Sequence, residues 1–281
     1  MNSSPAAGRL YVVSTPIGNL GDFSFRAIDV LRDVSLILAE DTRHSRTLLD
    51  RYEIRTPVAS YHEHNEAKLT PSLIERLREG DDLALISDAG TPLLSDPGSR
   101  LVSAAIDAGI VVNPIPGASA LLSALVASGI GTERFTFYGF LPRKGRERAA
   151  ALAELASLPH TAVVYEAPTR LAETLADLEA VGAGQKKIAV AREMTKQYEE
   201  VRRGTVSMLR AYYHETPPRG EVVIVLAGSE QRAVEESDVR ARARVLAAEG
   251  RSARDVVAQL VAELGVPRNK AYQIANEERD A

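Results

Sequence analysis

LALISDAGTPLLSDPGSRLV, at residues 83–102, sets the architecture of this 281-residue chain. Residues 83–86 form an apolar run of the length typical of a buried strand. Two Asp-containing turns follow at 87–92 and 95–98, where Asp, Gly and Pro restrict or permit particular backbone angles. The apolar segment 101–106 then predicts a helix. In an open α/β sheet, a polar loop between a strand and a helix lies at the carboxyl end of the strand, where ligands bind.

This loop has two interpretations. Asp88 at the strand tip can accept hydrogen bonds from a ligand, and Gly90 and Gly98 allow the backbone to approach it closely. Alternatively, the loop only connects the two elements, and Ser95 or Asp96 caps the helix. The loop by itself does not decide between them.

The composition is that of an ordinary globular protein, with 45% hydrophobic and 26% charged residues. The sequence has no apolar run long enough to span a membrane and no signal peptide at its start, so we expect a cytoplasmic protein with no membrane contact. Cysteine is absent, which excludes disulfides, thiolate metal sites and a cysteine nucleophile. The net charge of -4 predicts no broad attraction to nucleic acid, so any such binding needs a local basic patch.

The first half of the chain alternates strands and helices, which is typical of a mostly parallel sheet. A second Gly-rich loop, 14–22, follows the first strand, but it lacks the GxGxxG fingerprint of dinucleotide sites. We predict a disordered segment at 1–8 and an N-terminal α/β domain at 9–128.

The second half, 129–228, is predicted to be another α/β domain, with strands at 135–140, 161–165, 187–191 and 222–227; their order is left open. From residue 229 the composition changes to three short helices, 237–248, 252–264 and 269–277. The tight turn before the last helix is similar to a helix-turn-helix. A helical appendage or a dimer contact explains this tail equally well.

Two charged clusters are candidates for chemistry. Residues 40–44, EDTRH, follow the second predicted strand, where Asp41 or Thr42 caps the next helix or the cluster faces a substrate. Residues 141–148, LPRKGRER, are the most basic stretch of the chain. Its four cations are Arg143, Lys144, Arg146 and Arg148. They can form a solvated loop and helix start, but because cations at a helix start oppose the helix dipole, phosphate contact is the alternative, and the family resemblance described below would make that phosphate part of RNA.

A metal site is not expected. His62 and His64 alternate along one segment, but no cysteine and no fixed third ligand accompany them.

Nine segments together resemble the tetrapyrrole methylase superfamily and, within it, the ribosomal RNA small subunit methyltransferase I family. They occur in order from residue 10 to residue 228: LYVVSTPIGNLGD (10–22), AEDTRHSRTLL (39–49), YHEHNE (61–66), ALISDAGTPLLSDPG (84–98), PIPGASA (114–120), FYGFLPRKG (137–145), VVYEAPTRL (163–171), AREMTK (191–196) and GEVVIVLAG (220–228).

The resemblance implies two α/β domains with S-adenosylmethionine in the cleft between them, and a homodimer. It implies methylation of the ribose 2′-hydroxyl of a cytidine in the decoding centre of 16S rRNA. Carried over to this chain, the cofactor-binding residues are Ile17, Asp88, Thr91, Gly117, Ala118, Tyr165, Glu166, Arg192, Glu193 and Met194. Many superfamily members have Gly-Asp-Pro in the central loop, where this chain has Ser87, Asp88 and Ala89.

A ribose hydroxyl is a poor nucleophile near neutral pH, so a general base or a nearby cation helps. We rank Asp41 and Arg43 first, together with Glu40, because their cluster follows a first-domain strand. Three functions compete: an RNA 2′-O-methyltransferase, a small-molecule tetrapyrrole methylase, and a non-enzymatic ribosome-binding protein. The basic loop favours RNA. Because the chain has few cations overall, we expect the assembled small ribosomal subunit as substrate.

Overall fold

The computed structural model describes residues 7–229 and 236–278. Residues 1–6 of the segment predicted to be disordered therefore lie outside the described residues. The chain divides into two compact units, Met1–Gly228 and Ser229–Ala281.

The first unit begins with a five-stranded sheet in the order β3-β2-β4-β1-β5. All of its strand pairs are parallel. Its strands are β1 (Arg9–Val13), β2 (Leu36–Ala39), β3 (Val58–Ser60), β4 (Leu83–Ile86) and β5 (Val111–Ile115). Its helices are α1 (Phe25–Asp33), α2 (Thr42–Arg51), α3 (Glu66–Arg78), α4 (Ser99–Asp107) and α5 (Ala120–Ser128). Because the strands are parallel, their carboxyl ends share one edge of the sheet.

The predicted strand–loop–helix unit is present. All four residues of β4 are buried, as expected for a strand with apolar clusters on both faces of its sheet. Asp41 caps α2 by accepting a hydrogen bond from the backbone N–H of Arg43. In the alternative interpretation of the loop Ser95 or Asp96 caps α4, and this cap is wrong. The cap is Gly98, whose φ of 124° turns the chain at a place where a Cβ would lie 2.4 Å from the Leu85 side chain.

A second sheet in the same unit has the order β6-β7-β10-β8-β9. Only the β6–β7 pair is parallel; the other three pairs are antiparallel. Its strands are β6 (Phe135–Phe140), β7 (Thr161–Glu166), β8 (Lys187–Arg192), β9 (Glu200–Thr205) and β10 (Val222–Leu226). Its helices are α6 (Gly145–Ser157), α7 (Leu171–Leu178) and α8 (Val206–Glu215).

Strand β9 was not predicted, because its sequence EVRRGT has no apolar alternation. It is an edge strand, and an edge strand needs only one partner and little burial.

Helix α5 joins the two sheets. Its buried Leu121 and Leu125 pack in one apolar cluster with Val163, Ala189 and Val225 of the second sheet. The face of the second sheet that α5 covers is therefore the face turned toward the first half of the chain.

The second unit contains three helices around their own apolar cluster: α9 (Glu236–Ala248), α10 (Ala253–Leu264) and α11 (Arg268–Glu277). Ser252 caps α10, and Gly265 ends it with a left-handed φ of 63°. The three predicted helices are thus present within two residues of their predicted bounds. None of the helices in the described ranges has the length and apolar character required to cross a membrane.

Candidate active site

Three loops at the carboxyl edge of the parallel sheet are tied together by hydrogen bonds. Thr15 and Gly90 form a two-way backbone bridge, with N···O distances of 2.8 and 3.1 Å. Ser14 Oγ and Thr91 Oγ1 share a hydrogen bond of 3.0 Å, and Thr91 Oγ1 donates to the Ala118 carbonyl at 3.3 Å. The loops after β1, β4 and β5 thus form one platform, which we call the loop platform.

Between the loop platform and the second sheet lies a cavity of about 330 Å³, which we call the cleft cavity. One wall is aromatic, since the rings of Phe140 and Tyr165 meet edge to face with centroids 5.6 Å apart. The volume lies within the range of about 300–1,000 Å³ typical of small-molecule sites. Its lining comprises Ile17, Ala89, Gly90, Thr91, Leu94, Ser95, Asp96, Ser119, Ala120, Phe140, Tyr165, Glu166, Ala167, Pro168, Gly220, Glu221, Val222 and Val223.

A second cavity, also of about 330 Å³, lies on the other side of the same loops, against helix α2. We call it the α2 cavity. It is lined by Pro16, Gly18, Leu20, His44, Ser45, Thr47, Leu48, Ser87 and Asp88.

Three carboxylates, Glu40, Asp88 and Asp96, gather at this edge of the sheet. Burial raises the pKa of Asp96 to about 6, and the charges of Glu40 and Asp88 add to that shift while a hydrogen bond from Ser87 opposes it. Burial and then the charge of Asp88 also raise the pKa of Glu40, against the effect of His62. Clustered carboxylates with raised pKa values are typical of functional sites. Asp96 was not predicted as a site residue, because at the start of a helix it was interpreted only as a candidate cap.

Asp41 and Arg43 form a pair at the start of α2. The Arg43 side chain donates from Nε to Oδ1 at 3.2 Å and from Nη2 to Oδ2 at 2.9 Å. These bonds hold the pKa of Asp41 well below its usual range. Asp41 is therefore a poor proton acceptor, whereas the Arg43 side chain remains 90% exposed.

The basic loop divides into two parts. Arg143, Lys144 and Arg146 are exposed at the start of α6, and within the described part of the chain no ion pair engages them. Arg148 is only 6% exposed. Its Nη2 donates to Asp177 Oδ2 at 2.6 Å and to Thr174 Oγ1 at 3.1 Å. The prediction that Arg148 contacts RNA is wrong, because its guanidinium is buried in a protein-internal network.

Comparison with known proteins agrees with this architecture. Residues 9–210 match the model of the Tetrapyrrole (Corrin/Porphyrin) Methylases family. "Ribosomal RNA small subunit methyltransferase I" of Synechocystis sp. is 45% identical over 273 residues, which cover 96% of this chain and 98% of that protein. The protein of the same name from Bacillus subtilis is 42% identical, covering 96% and 95%.

The chain belongs to the ribosomal RNA small subunit methyltransferase I family. The predicted resemblance, fold class and enzyme class are confirmed. A solved structure of Thermus thermophilus uroporphyrin-III C-methyltransferase, complexed with S-adenyl homocysteine, shares the fold at a TM-score of 0.55. It is 18% identical and covers 78% of this chain and 97% of its own.

In this ribosomal RNA small subunit methyltransferase I family member, four of the predicted cofactor residues line the cleft cavity: Ile17, Thr91, Tyr165 and Glu166. Gly117 and Ala118 belong to the loop platform beside it. A Cβ on Gly117 would lie 2.9 Å from the Ser14 Cβ, so the close approach of these two loops requires glycine there. Asp88 lines the α2 cavity instead, and accepts a hydrogen bond from the Asp41 backbone N–H at 3.1 Å.

The remaining predicted residues are outside the lining of the cleft cavity. Glu193 Oε1 accepts hydrogen bonds from the Glu221 N–H and from Lys196 Nζ, each at 3.0 Å. Glu193 thereby positions Glu221, which lines the cleft cavity. Its neighbours Arg192 and Met194 are not among the lining residues.

The Glu166 carboxylate is engaged by the protein itself. It is 2% exposed and accepts hydrogen bonds from Thr174 Oγ1 at 2.6 Å and from the Ala167 N–H at 2.9 Å. Arg170 Nη1 lies 3.5 Å from it. These contacts give Glu166 a structural role in the wall.

The two histidines lie close together but gather no further ligands. The rings of His62 and His64 have centroids 5.9 Å apart. Across residues 7–229 and 236–278, no group of three His, Cys, Asp or Glu side chains is arranged to hold a metal ion.

Proposed function

We propose that this methyltransferase uses S-adenosylmethionine to methylate the ribose 2′-hydroxyl of a cytidine in the decoding centre of 16S rRNA, with the assembled small ribosomal subunit as substrate. The observation that carries the proposal is the cleft cavity, which lies at the carboxyl edge of the parallel sheet beside three carboxylates. We also propose that the enzyme is a homodimer, as the family resemblance implies, and that it acts in the cytoplasm.

The residues of the cleft cavity fit this cofactor. Ile17, Phe140 and Tyr165 provide apolar and aromatic surfaces for an adenine ring, and Thr91 provides a hydroxyl. The Asp96 carboxylate adds negative charge, which favours a cationic sulfonium. When bound, S-adenosylmethionine supplies a methyl group that a hydroxyl oxygen can displace from sulfur.

The acidic cluster supplies the proton acceptor. We assign this role to Glu40, because its raised pKa makes it a stronger base than an ordinary carboxylate. Asp41 has the opposite property and acts as a positioning residue, holding Arg43 through its two side-chain hydrogen bonds. The exposed Arg43 guanidinium is placed to hold a phosphate of the substrate.

Three cations extend the RNA contact. Arg143, Lys144 and Arg146 are exposed on the second half of the same unit, and cations at a helix start are accounted for by phosphate binding rather than by helix stability.

The direct test uses S-adenosylmethionine with a labelled methyl group and small ribosomal subunits that lack the modification. The RNA is then digested and the labelled nucleotide is identified. Label on one ribose-methylated cytidine of 16S rRNA is the expected result. If the protein binds the cofactor but labels no subunit, the ribosomal function is wrong and tetrapyrroles become the next substrates to test.

A further inference from the structure

The α2 cavity contains a buried hydroxyl that lacks a partner. Ser45 is 3% exposed and lines the cavity, and no group in the described residues hydrogen-bonds its Oγ. A helical serine often returns its hydroxyl to the carbonyl one turn earlier, but here only the Ser45 backbone N–H bonds to the Asp41 carbonyl. Because buried polar groups almost always have partners, the cavity is suited to an occupant that supplies one.

The position of the α2 cavity relates it to the cleft cavity. Pro16 and Gly18 line the α2 cavity, whereas Ile17 between them lines the cleft. In the same way Ser87 and Asp88 line the α2 cavity, and residues 89–91 line the cleft. The two cavities therefore share two loops, and an occupant of one is adjacent to an occupant of the other.

The chemistry of the lining favours a neutral, flat ring with N–H donors. Pro16, Leu20 and Leu48 provide apolar surfaces. The Asp88 carboxylate repels a phosphate but accepts hydrogen bonds. Among the residues that the structure describes, one backbone donor, the Asp41 N–H, bonds to it. A nucleobase has this combination of an apolar face and a polar edge.

We propose that the α2 cavity receives the nucleobase of the acceptor nucleotide, turned out of the RNA, with Ser45 Oγ and the Asp88 carboxylate bonded to its polar edge. The exocyclic amine of cytosine donates to a carboxylate, whereas uracil presents a carbonyl at the same place. The inference rests on the proposed function and names the recognition that selects cytidine.

The first experiment compares initial rates of methyl transfer to unmodified small subunits. Ser45→Ala removes the hydroxyl without adding bulk. Thr47→Phe fills the cavity from an exposed position, and Asp50→Phe is the matched control on the same helix, at an exposed position outside the lining. We expect kcat/KM for subunits to fall about tenfold in Ser45→Ala, further in Thr47→Phe, and less than about twofold in Asp50→Phe. Cofactor affinity, measured by calorimetry, is expected to stay within about twofold in all three and verifies that they fold.

The second experiment replaces the target cytidine by uridine in the subunits. Asp88→Asn keeps an oxygen for the Asp41 N–H but adds N–H donors, which can bond to the carbonyl of uracil. The ratio of kcat/KM for cytidine to kcat/KM for uridine is therefore expected to fall about tenfold.

The outcomes separate the two proposals. An active wild type whose rate is unaffected by Ser45→Ala and Thr47→Phe, or whose cytidine preference is unaffected by Asp88→Asn, overturns the nucleobase pocket alone. A wild type that binds cofactor and labels no subunit overturns the proposed function, and the pocket with it.

Discussion

Arg148 lies two residues beyond the exposed Arg146, yet its side chain faces the interior. Two residues on a helix differ by about 200° around its axis, so the two cations must point to opposite sides. Arg148→Ala removes the donor to Asp177 and Thr174 and leaves these groups without their partner. We expect a loss of roughly 2–3 kcal/mol in the free energy of unfolding, because Asp177 keeps some contact with water. Urea denaturation measures it, and Arg146→Ala is the control with no expected change.

Asp96 makes a different kind of prediction, on pH. Its pKa rises from the ordinary value of 3.8 to about 6 on folding, so the unfolded chain releases this proton first. Its contribution to stability is fully present below about pH 4 and is lost as the pH rises through 6. Asp96→Asn has no carboxyl at this position and so lacks this pH-dependent loss of stability. Its free energy of unfolding minus that of wild type should therefore grow between pH 4 and 7, by on the order of 1–2 kcal/mol after allowing for partial exposure.

Thermal unfolding of both proteins across that pH range tests the prediction. Asp107→Asn, the same substitution at an exposed position of α4, serves as the control. If the difference in stability between Asp96→Asn and wild type is the same at pH 4 and at pH 7, the pKa of Asp96 is not raised in the folded protein and the prediction is wrong.

The start of α6 acts as one element in RNA binding. Replacing Arg143, Lys144 and Arg146 together by Gln is expected to weaken subunit binding and to leave cofactor affinity unchanged. If each cation contacts one phosphate, the slope of log affinity against log salt concentration should fall by roughly two to three in magnitude. Arg78→Gln is the control, since Arg78 is already paired with Glu75 at 2.7 Å. An unchanged slope would remove these cations from the RNA interface.

The elements that were predicted and those that were missed differ in their physical signals. Helix α10 was predicted at 252–264 and lies at Ala253–Leu264, because its apolar residues repeat with helical period. Strand β9 was missed because it is polar and depends on its neighbour β8. The residues of the site differ in the same way. Asp88 was predicted because Gly and Pro mark the loop around it in the sequence. Asp96 was missed because the rise in its pKa depends on burial and on Glu40, which is distant in sequence. Similarly, the role proposed for Ser45 depends on the burial of its hydroxyl without a hydrogen-bond partner, which only the packing of the folded chain reveals.

The molecule as a whole is built from units with separate cores. Every residue of the apolar cluster around α9–α11 lies between 239 and 275, and the clusters of the first unit contain residues only up to 226. A chain of residues 1–228 contains both cavities and is therefore expected to fold and to bind S-adenosylmethionine within about twofold of the full-length affinity. Calorimetry on the two proteins measures this. If the shorter chain binds the cofactor but methylates subunits more slowly, the helical unit contributes to binding of the substrate. If the shorter chain does not bind the cofactor, folding of the first unit depends on the second.

The backbone bridge between Thr15 and Gly90 has a thermodynamic consequence. Loops that are already bonded to each other have lost most of their conformational entropy before a ligand arrives, so binding requires little further ordering. The heat capacity change of binding should then reflect only the surface that the ligand itself covers, without the large negative contribution of coupled folding. The binding enthalpy should accordingly change only gently with temperature. The cofactor site is therefore expected to be preorganised, with no folding of its loops coupled to binding.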